Sequence, residues 1–583
     1  MKYFPKWLRF FGAVSLVALL LLSIKFLAVP ILSKASSPID YEIWGSDQSN
    51  SRSGVEARGV SGSWIWIWDR QDLEKQLETG EPAQPIGCDG KNQTGTGPCD
   101  LYTVFPSDLI EHDTNGATGN SLADLPSFGR LHGMLPDPQN RYMNMNIFAP
   151  QGGYIGIMDG ETKAAIALFR VSGTSSGRSV HMSFWNSDGS ALLIANLHGK
   201  VLERIDLERD SDGKIVNATF NRSASLGFGK SLEITEQPKV YLGNNAQGQP
   251  MIGEIAGSYD PAAMGDLTPN GICKENDCPS GQNGGRANNV VICPIVSDND
   301  LAFATFGGGG LLVANTRTTP MTIVGEYDNA TINGAGCGGV QVGQDMWLNA
   351  GISASGAGAN QSTFTLYTLD TEALGTTEAN KPNSPKPAVI FKDDTNTATI
   401  GNATGPETNE TGQLPGQTTR RDSHGMAKTL ANTHVHTVDR IQNNVEVINV
   451  ETGAQTTYDL TTADGQGNGL GPCQTVSVSD DPNLPGNDPA PDLLEPTPDG
   501  KYLVVALRGP IPVSVNHAAQ GSCPGVGIIE LTEGRASGRL VTILRSTNTV
   551  DTSPGSAPGG YDYQGTEHSD IHGAAVRRKL ARN

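Results

Sequence analysis

Residues 181–207 read HMSFWNSDGSALLIANLHGKVLERIDL. Apolar and polar positions alternate over three short runs, a period that predicts half-buried β-strands. Asn186-Ser187-Asp188-Gly189 and His198-Gly199-Lys200 separate the runs and predict tight hairpin turns. The same grammar starts again near His132, Val290, Gly338, His424 and Glu495, making six repeated units. Their turn signals include Pro136-Asp137, Asp298-Asn299-Asp300 and Pro498-Asp499-Gly500.

Two partial units lie towards the ends. Residues 570–576, DIHGAAV, read as an inner strand without partners, and residues 63–69, SWIWIWD, as an outer strand without an inner one. Alternation puts Trp64, Trp66 and Trp68 on one face of the latter. Joining the two closes a ring and removes exposed sheet edges. The expected fold is all-β: a seven-bladed β-propeller closed by its N- and C-terminal strands. Long loop insertions are expected at 76–128, 208–288, 372–422 and 461–494. Six or eight blades also fit, because 210–290 resists parsing. The expected organisation is a targeting segment (1–35), a linker (36–59), the propeller (60–577) and a tail (578–583).

Composition agrees with a turn-rich β-protein, with 71 Gly and 35 Pro. Lys and Arg number 41 against 61 Asp and Glu, a net charge of −20. Such an acidic surface argues against nucleic acid and against docking on anionic lipid. In residues 1–35, Lys2, Lys6 and Arg9 precede a long apolar run. That segment is either a cleaved signal peptide or an N-terminal membrane anchor, and it is the only expected membrane contact. Both readings place the rest of the chain outside the cytoplasm, periplasmic or extracellular. Eight cysteines, an even count, then imply disulfides. Cys88/Cys99 and Cys273/Cys278 are spaced to staple loops, while Cys293, Cys337, Cys473 and Cys523 are expected to pair across blades. A zinc site is the weaker alternative, since no CxxC occurs.

His132-Gly133-Met134 with Pro136-Asp137, His424-Gly425-Met426, and Pro498-Asp499-Gly500-Lys501-Tyr502-Leu503 resemble the repeats of the YVTN/lactonase-like seven-bladed propeller superfamily. The resemblance implies fold and leaves function open among hydrolases, oxidases and binding modules. It also implies a channel-end metal held by Glu, Asn and Asp, for which Glu495 with Asn144 or Asn146 would answer. A weaker resemblance, in propeller grammar and histidine use, is to the selenium-binding/methanethiol oxidase propellers. It implies copper held by ring histidines; that group's cysteine motif is missing here.

His132, His181, His424 and His572 fall at or near the starts of four units, and Glu495 begins a fifth. Imidazole is the commonest ligand of Cu, Fe and Zn, so these residues could form one metal site in the central channel. Glu495 would be an outer ligand or the catalytic base. The competing readings are structural imidazoles bonded to a neighbouring blade, with Gly permitting close approach, and metal-free acid–base use. His434 and His436, two apart on a strand, face one side and form a second candidate pair. The chain thus reads as an exported propeller doing redox or hydrolytic chemistry on a small molecule. The alternative is a non-catalytic extracytoplasmic scaffold that binds a small molecule or a protein. The sequence leaves open whether it is an enzyme.

Overall fold

The computed structural model describes residues 39–48, 64–88, 97–105, 130–148, 152–229, 232–265, 290–307, 309–334, 336–351, 364–378, 381–393, 421–440, 442–461, 473, 489–509, 521, 523–547 and 569–580. The targeting segment 1–35 and the Cys273/Cys278 pair lie outside these residues. Among the described residues, no helix is long and apolar enough to cross a membrane.

Seven antiparallel sheets form the blades. The inner strands of blades 2 to 7 are Arg130–Pro136, Val180–Trp185, Val291–Val296, Gly339–Val342, Ser423–Lys428 and Pro491–Pro496. Blade 1 uses both ends of the chain. Its inner strand is Ile571–Arg578, followed outward by Tyr41–Asp47, Trp64–Asp69 and Cys99–Asp100. Inner strands of successive blades pack against one another, including blades 7 and 1 and blades 1 and 2, and the Cys293–Cys337 disulfide joins blades 4 and 5, so the ring is closed.

The stretch 210–290 supplies edges. Ile215–Asn221 is the fourth strand of blade 3, Glu254–Ala256 pairs beside it in parallel, and Lys239–Val240 returns to the edge of blade 2. Ala388–Asp393 likewise completes blade 5 from within the expected 372–422 loop. Disulfides join Cys88 to Cys99, Cys293 to Cys337 and Cys473 to Cys523.

One boundary is corrected. Tyr41–Asp47, expected as linker, is the second strand of blade 1 and pairs with both Ile571–Arg578 and Trp64–Asp69. All seven of its residues are buried. A strand covered on both faces has no polar alternation, so YEIWGSD carries no period-2 signal. Its polar residues are satisfied inside instead. The Glu42 carboxylate accepts from Lys163 Nζ (2.8 Å) and from Arg577 Nη2 (2.9 Å), tying blade 1 to blade 2. Lys163 Nζ also lies 4.5 Å from the Trp44 ring centre. Burial pulls the Lys163 ammonium down to about 8, even with Glu42 beside it. Trp66 and Trp68 stack on the same face of their strand, with Trp64 packed against that cluster.

Glu42→Ala strands the buried Lys163 ammonium at the ring closure and leaves Arg577 with Glu161 alone. We expect it to cost about 3–5 kcal/mol, the penalty of breaking a buried ion pair. The check is the denaturant midpoint at unchanged m-value.

Candidate metal centre in the channel

A regular inner strand aims successive side chains at its two neighbouring blades. In six of the seven blades that alternation breaks at one place. The register shifts lie at His132 in blade 2, His181-Met182 in blade 3, Ile292-Cys293 in blade 4, His424-Gly425 in blade 6, Asp492-Leu493 in blade 7 and His572 in blade 1. A β-bulge of this kind re-aims a side chain. Blade 5 contributes Cys337, two residues before its inner strand. The glycine after three of the histidines makes room. A Cβ at Gly425 would strike the Asp492 carbonyl oxygen, and one at Gly133 would strike the Met182 thioether.

The four expected channel histidines meet. Ring centres lie 3.8 Å apart for His132 and His572, 4.0 Å for His132 and His181, 5.9 Å for His424 and His572, and 6.4 Å for His181 and His572. All four are buried. Asp492 faces two of them: His424 Nδ1 is 2.5 Å from Oδ1 and His572 Nε2 is 3.7 Å from Oδ2. His572 Nδ1 donates to the His132 carbonyl oxygen (2.8 Å), which fixes the tautomer and leaves the Nε2 lone pair on the Asp492 side. The Gln48 side chain bonds His132 Nδ1. Both sulfurs of the Cys293–Cys337 disulfide lie 3.6 Å from His181 Nδ1.

A second layer sets the charges. Arg508 holds Asp570 through Nε (2.7 Å) and Nη2 (2.8 Å), and Asp492 through Nη1 (2.8 Å). Arg440 pairs with Asp422 and lies 4.0 Å from Asp492. Burial opposes ionisation of Asp492, but His424, His572 and Arg508 outweigh it and hold the carboxyl well below its usual range. Burial, reinforced by the His424 imidazole, pulls His181 down to about 3, so its ring is neutral. Burial pulls His572 down as well. Imidazole nitrogen and carboxylate oxygen are both ligand types for first-row transition-metal cations.

The other expected residues lie elsewhere. Glu495 does not hold the ring register; Asp492, three residues earlier, does. Glu495 pairs opposite Val504, where burial raises its carboxyl to about 7. His434 and His436 are on the second strand of blade 6, away from the ring. His434 bonds Thr433 Oγ1 (3.0 Å) and Asn449 Nδ2 (3.2 Å). His436 contacts the Tyr458 hydroxyl (3.2 Å) and donates from Nε2 to the Arg535 carbonyl (3.0 Å). Asn144 and Asn146 staple blade 2 to blade 3 through Ser183. Asp492 and the cysteine pair are the residues sequence reasoning missed. A signal for Asp492 existed. His132, His181 and His424 each stand five residues before a side chain that caps the next hairpin, namely Asp137, Asn186 and Thr429. Asp492 stands five before Thr497, which does the same for Tyr502.

No protein-family model matches the chain, and no curated protein does. Solved structures similar to it include the periplasmic gluconolactonase of Pseudomonas aeruginosa, at 9% identity over 87% of this chain and 98% of that one, TM-score 0.40. A Lactobacillus plantarum protein matches at 9% identity over 93% and 100%, TM-score 0.41. A candidate 6-phosphogluconolactonase of Bacteroides fragilis matches at 11% identity over 86% and 94%, TM-score 0.39. At these values the likenesses assign no activity.

His436→Ala removes one hydrogen bond within blade 6, to Tyr458, and one to the Arg535 carbonyl of blade 7. We expect a loss of about 1–3 kcal/mol in denaturant unfolding, with the metal content of the purified protein unchanged.

Proposed function

We propose that this protein is an exported β-propeller that binds a transition metal, Cu, Fe or Zn, at the imidazole-lined end of its channel. The observation that carries this reading is the grouping of His132, His181 and His424 around His572, with Asp492 against His424 and His572, all brought in by bulges of the inner strands. The ligands would be these imidazoles, with Asp492 as carboxylate ligand or proton acceptor. When bound, the ion would supply Lewis acidity or one-electron chemistry on a small molecule. This chain's own part is to exclude water, keep His181 and His572 neutral by burial, and hold Asp492 ionised through its ring neighbours and Arg508. Three disulfides fit an oxidising compartment.

A second reading has its own support. His572 Nδ1 bonds the His132 carbonyl, as a purely structural staple between blades would. In that case the chain is a non-catalytic extracytoplasmic scaffold.

The test is elemental analysis by mass spectrometry of the purified protein beside a His132→Ala/His572→Ala double variant. We expect stoichiometric Cu, Fe or Zn in the first and its loss in the second, with the β-sheet circular dichroism retained. No metal in either, even after incubation with each ion, overturns the metal reading and leaves the staple.

A further inference from the structure

Blades 4 and 5 are the two that bring neither imidazole nor carboxylate to the ring, and they bring sulfur. Cys293 is part of the blade 4 bulge, and Cys337 stands just before the inner strand of blade 5. Their Sγ atoms and the ring nitrogen of His181 all lie within 4.8 Å of one another, and among the described residues no other His, Cys, Asp or Glu group places three ligand atoms so close. We propose that Cys293–Cys337 is a reducible switch on the channel site. Closed, it leaves the channel to imidazole and carboxylate. Opened, its two thiolates and His181 form a Cys2His site for a thiophilic divalent ion. The placement rests on the metal reading above only in assigning the ion to the same channel.

The chemistry balances with an external dithiol as reductant. A thiolate of the dithiol attacks one sulfur, the S–S bond breaks, and the second thiolate of the dithiol releases the protein. The dithiol leaves as its own disulfide, and Cys293 and Cys337 become thiols. Cys293 and Cys337 are both buried, Cys337 the less completely, so attack is assigned to the Cys337 sulfur. A divalent ion then displaces both thiol protons. With Cα atoms 5.3 Å apart, the freed sulfurs can part by side-chain rotation to positions about 2.3 Å from an ion. His132, its ring 4.0 Å from that of His181, is placed to supply a fourth nitrogen.

Cobalt(II) is the probe. The purified full chain is treated anaerobically with a water-soluble phosphine, which is itself oxidised to its oxide. It is then desalted and titrated with Co2+ beside untreated protein. We expect a thiolate-to-cobalt charge-transfer band in the near ultraviolet only after reduction. It should be lost on reoxidation and lost in Cys293→Ser/Cys337→Ser. His181→Ala should keep the thiols but weaken Co2+ binding. The proposal is overturned if the reduced wild type shows no such band or if the band survives in the double serine variant. It is equally overturned if Cys293→Ser/Cys337→Ser, with the other disulfides intact, loses the β-sheet circular dichroism, for the bond is then structural. A nitrogen-only cobalt spectrum in untreated protein with no thiolate band after reduction would sink the switch and keep the imidazole site.

Discussion

The β-bulge on the inner strand is the constraint from which the channel follows. Without it, each inner-strand side chain would face a neighbouring blade, and polar residues there would be buried without purpose. With it, one residue per blade turns toward its counterparts. Because the shift recurs at one register in six blades, those residues form a single layer. The bulge also presses backbone against the next blade. Gly133 and Gly425 meet that demand, since a side chain at either would overlap Met182 or the Asp492 carbonyl. The His-Gly pairs are therefore one device, with imidazole as payload and glycine as clearance.

A layer of buried polar groups is costly unless a second layer supports it. Here that layer is ionic. Arg508 is shared between Asp492 and Asp570, and Arg440 is committed to Asp422. Counting these five groups, three carboxylates face two guanidinium groups. One negative charge is left for the imidazole side to balance, by a proton on a histidine or by a bound cation. Desolvation disfavours the proton on His181 and His572.

Much of the fold was legible because propeller blades repeat. Alternating runs, Asn/Asp/Gly turns and the incomplete units at the two ends sufficed to expect a ring closed by both termini. Tyr41–Asp47 escaped because a strand buried on both faces loses its polar period, and its Glu42 is neutralised by residues 121 and 535 positions away. In the site, the histidines could be read because His is scarce and repeated. Asp492 could not be read by residue type, as it differs from its counterparts. It was legible only by spacing, five residues ahead of the capping Thr497. His434 and His436 misled for the opposite reason. Their i, i+2 spacing fits chelation, but the second strand of a blade turns its side chains to blade partners such as Tyr458 and Arg535.

The order of donors around the ring makes closure and site a single event. Going round from blade 6, the register holds His424, Asp492, His572, His132 and His181, then the sulfur pair of blades 4 and 5. The middle of the nitrogen–oxygen arc is His572, carried by the C-terminal strand that completes blade 1. That strand is held by Tyr41–Asp47, by Glu42 on Arg577, and by Asp570 on Arg508. Until both ends of the chain have joined, the ring lacks the imidazole that touches His132 on one side and Asp492 on the other. An ion recognised by this constellation would recognise only the closed propeller, so its binding energy would add directly to the stability of closure. The Glu42 triad, away from the channel, and the Arg508 bridge, in direct contact with Asp492, are thus the residues that hold the ring together around the histidines.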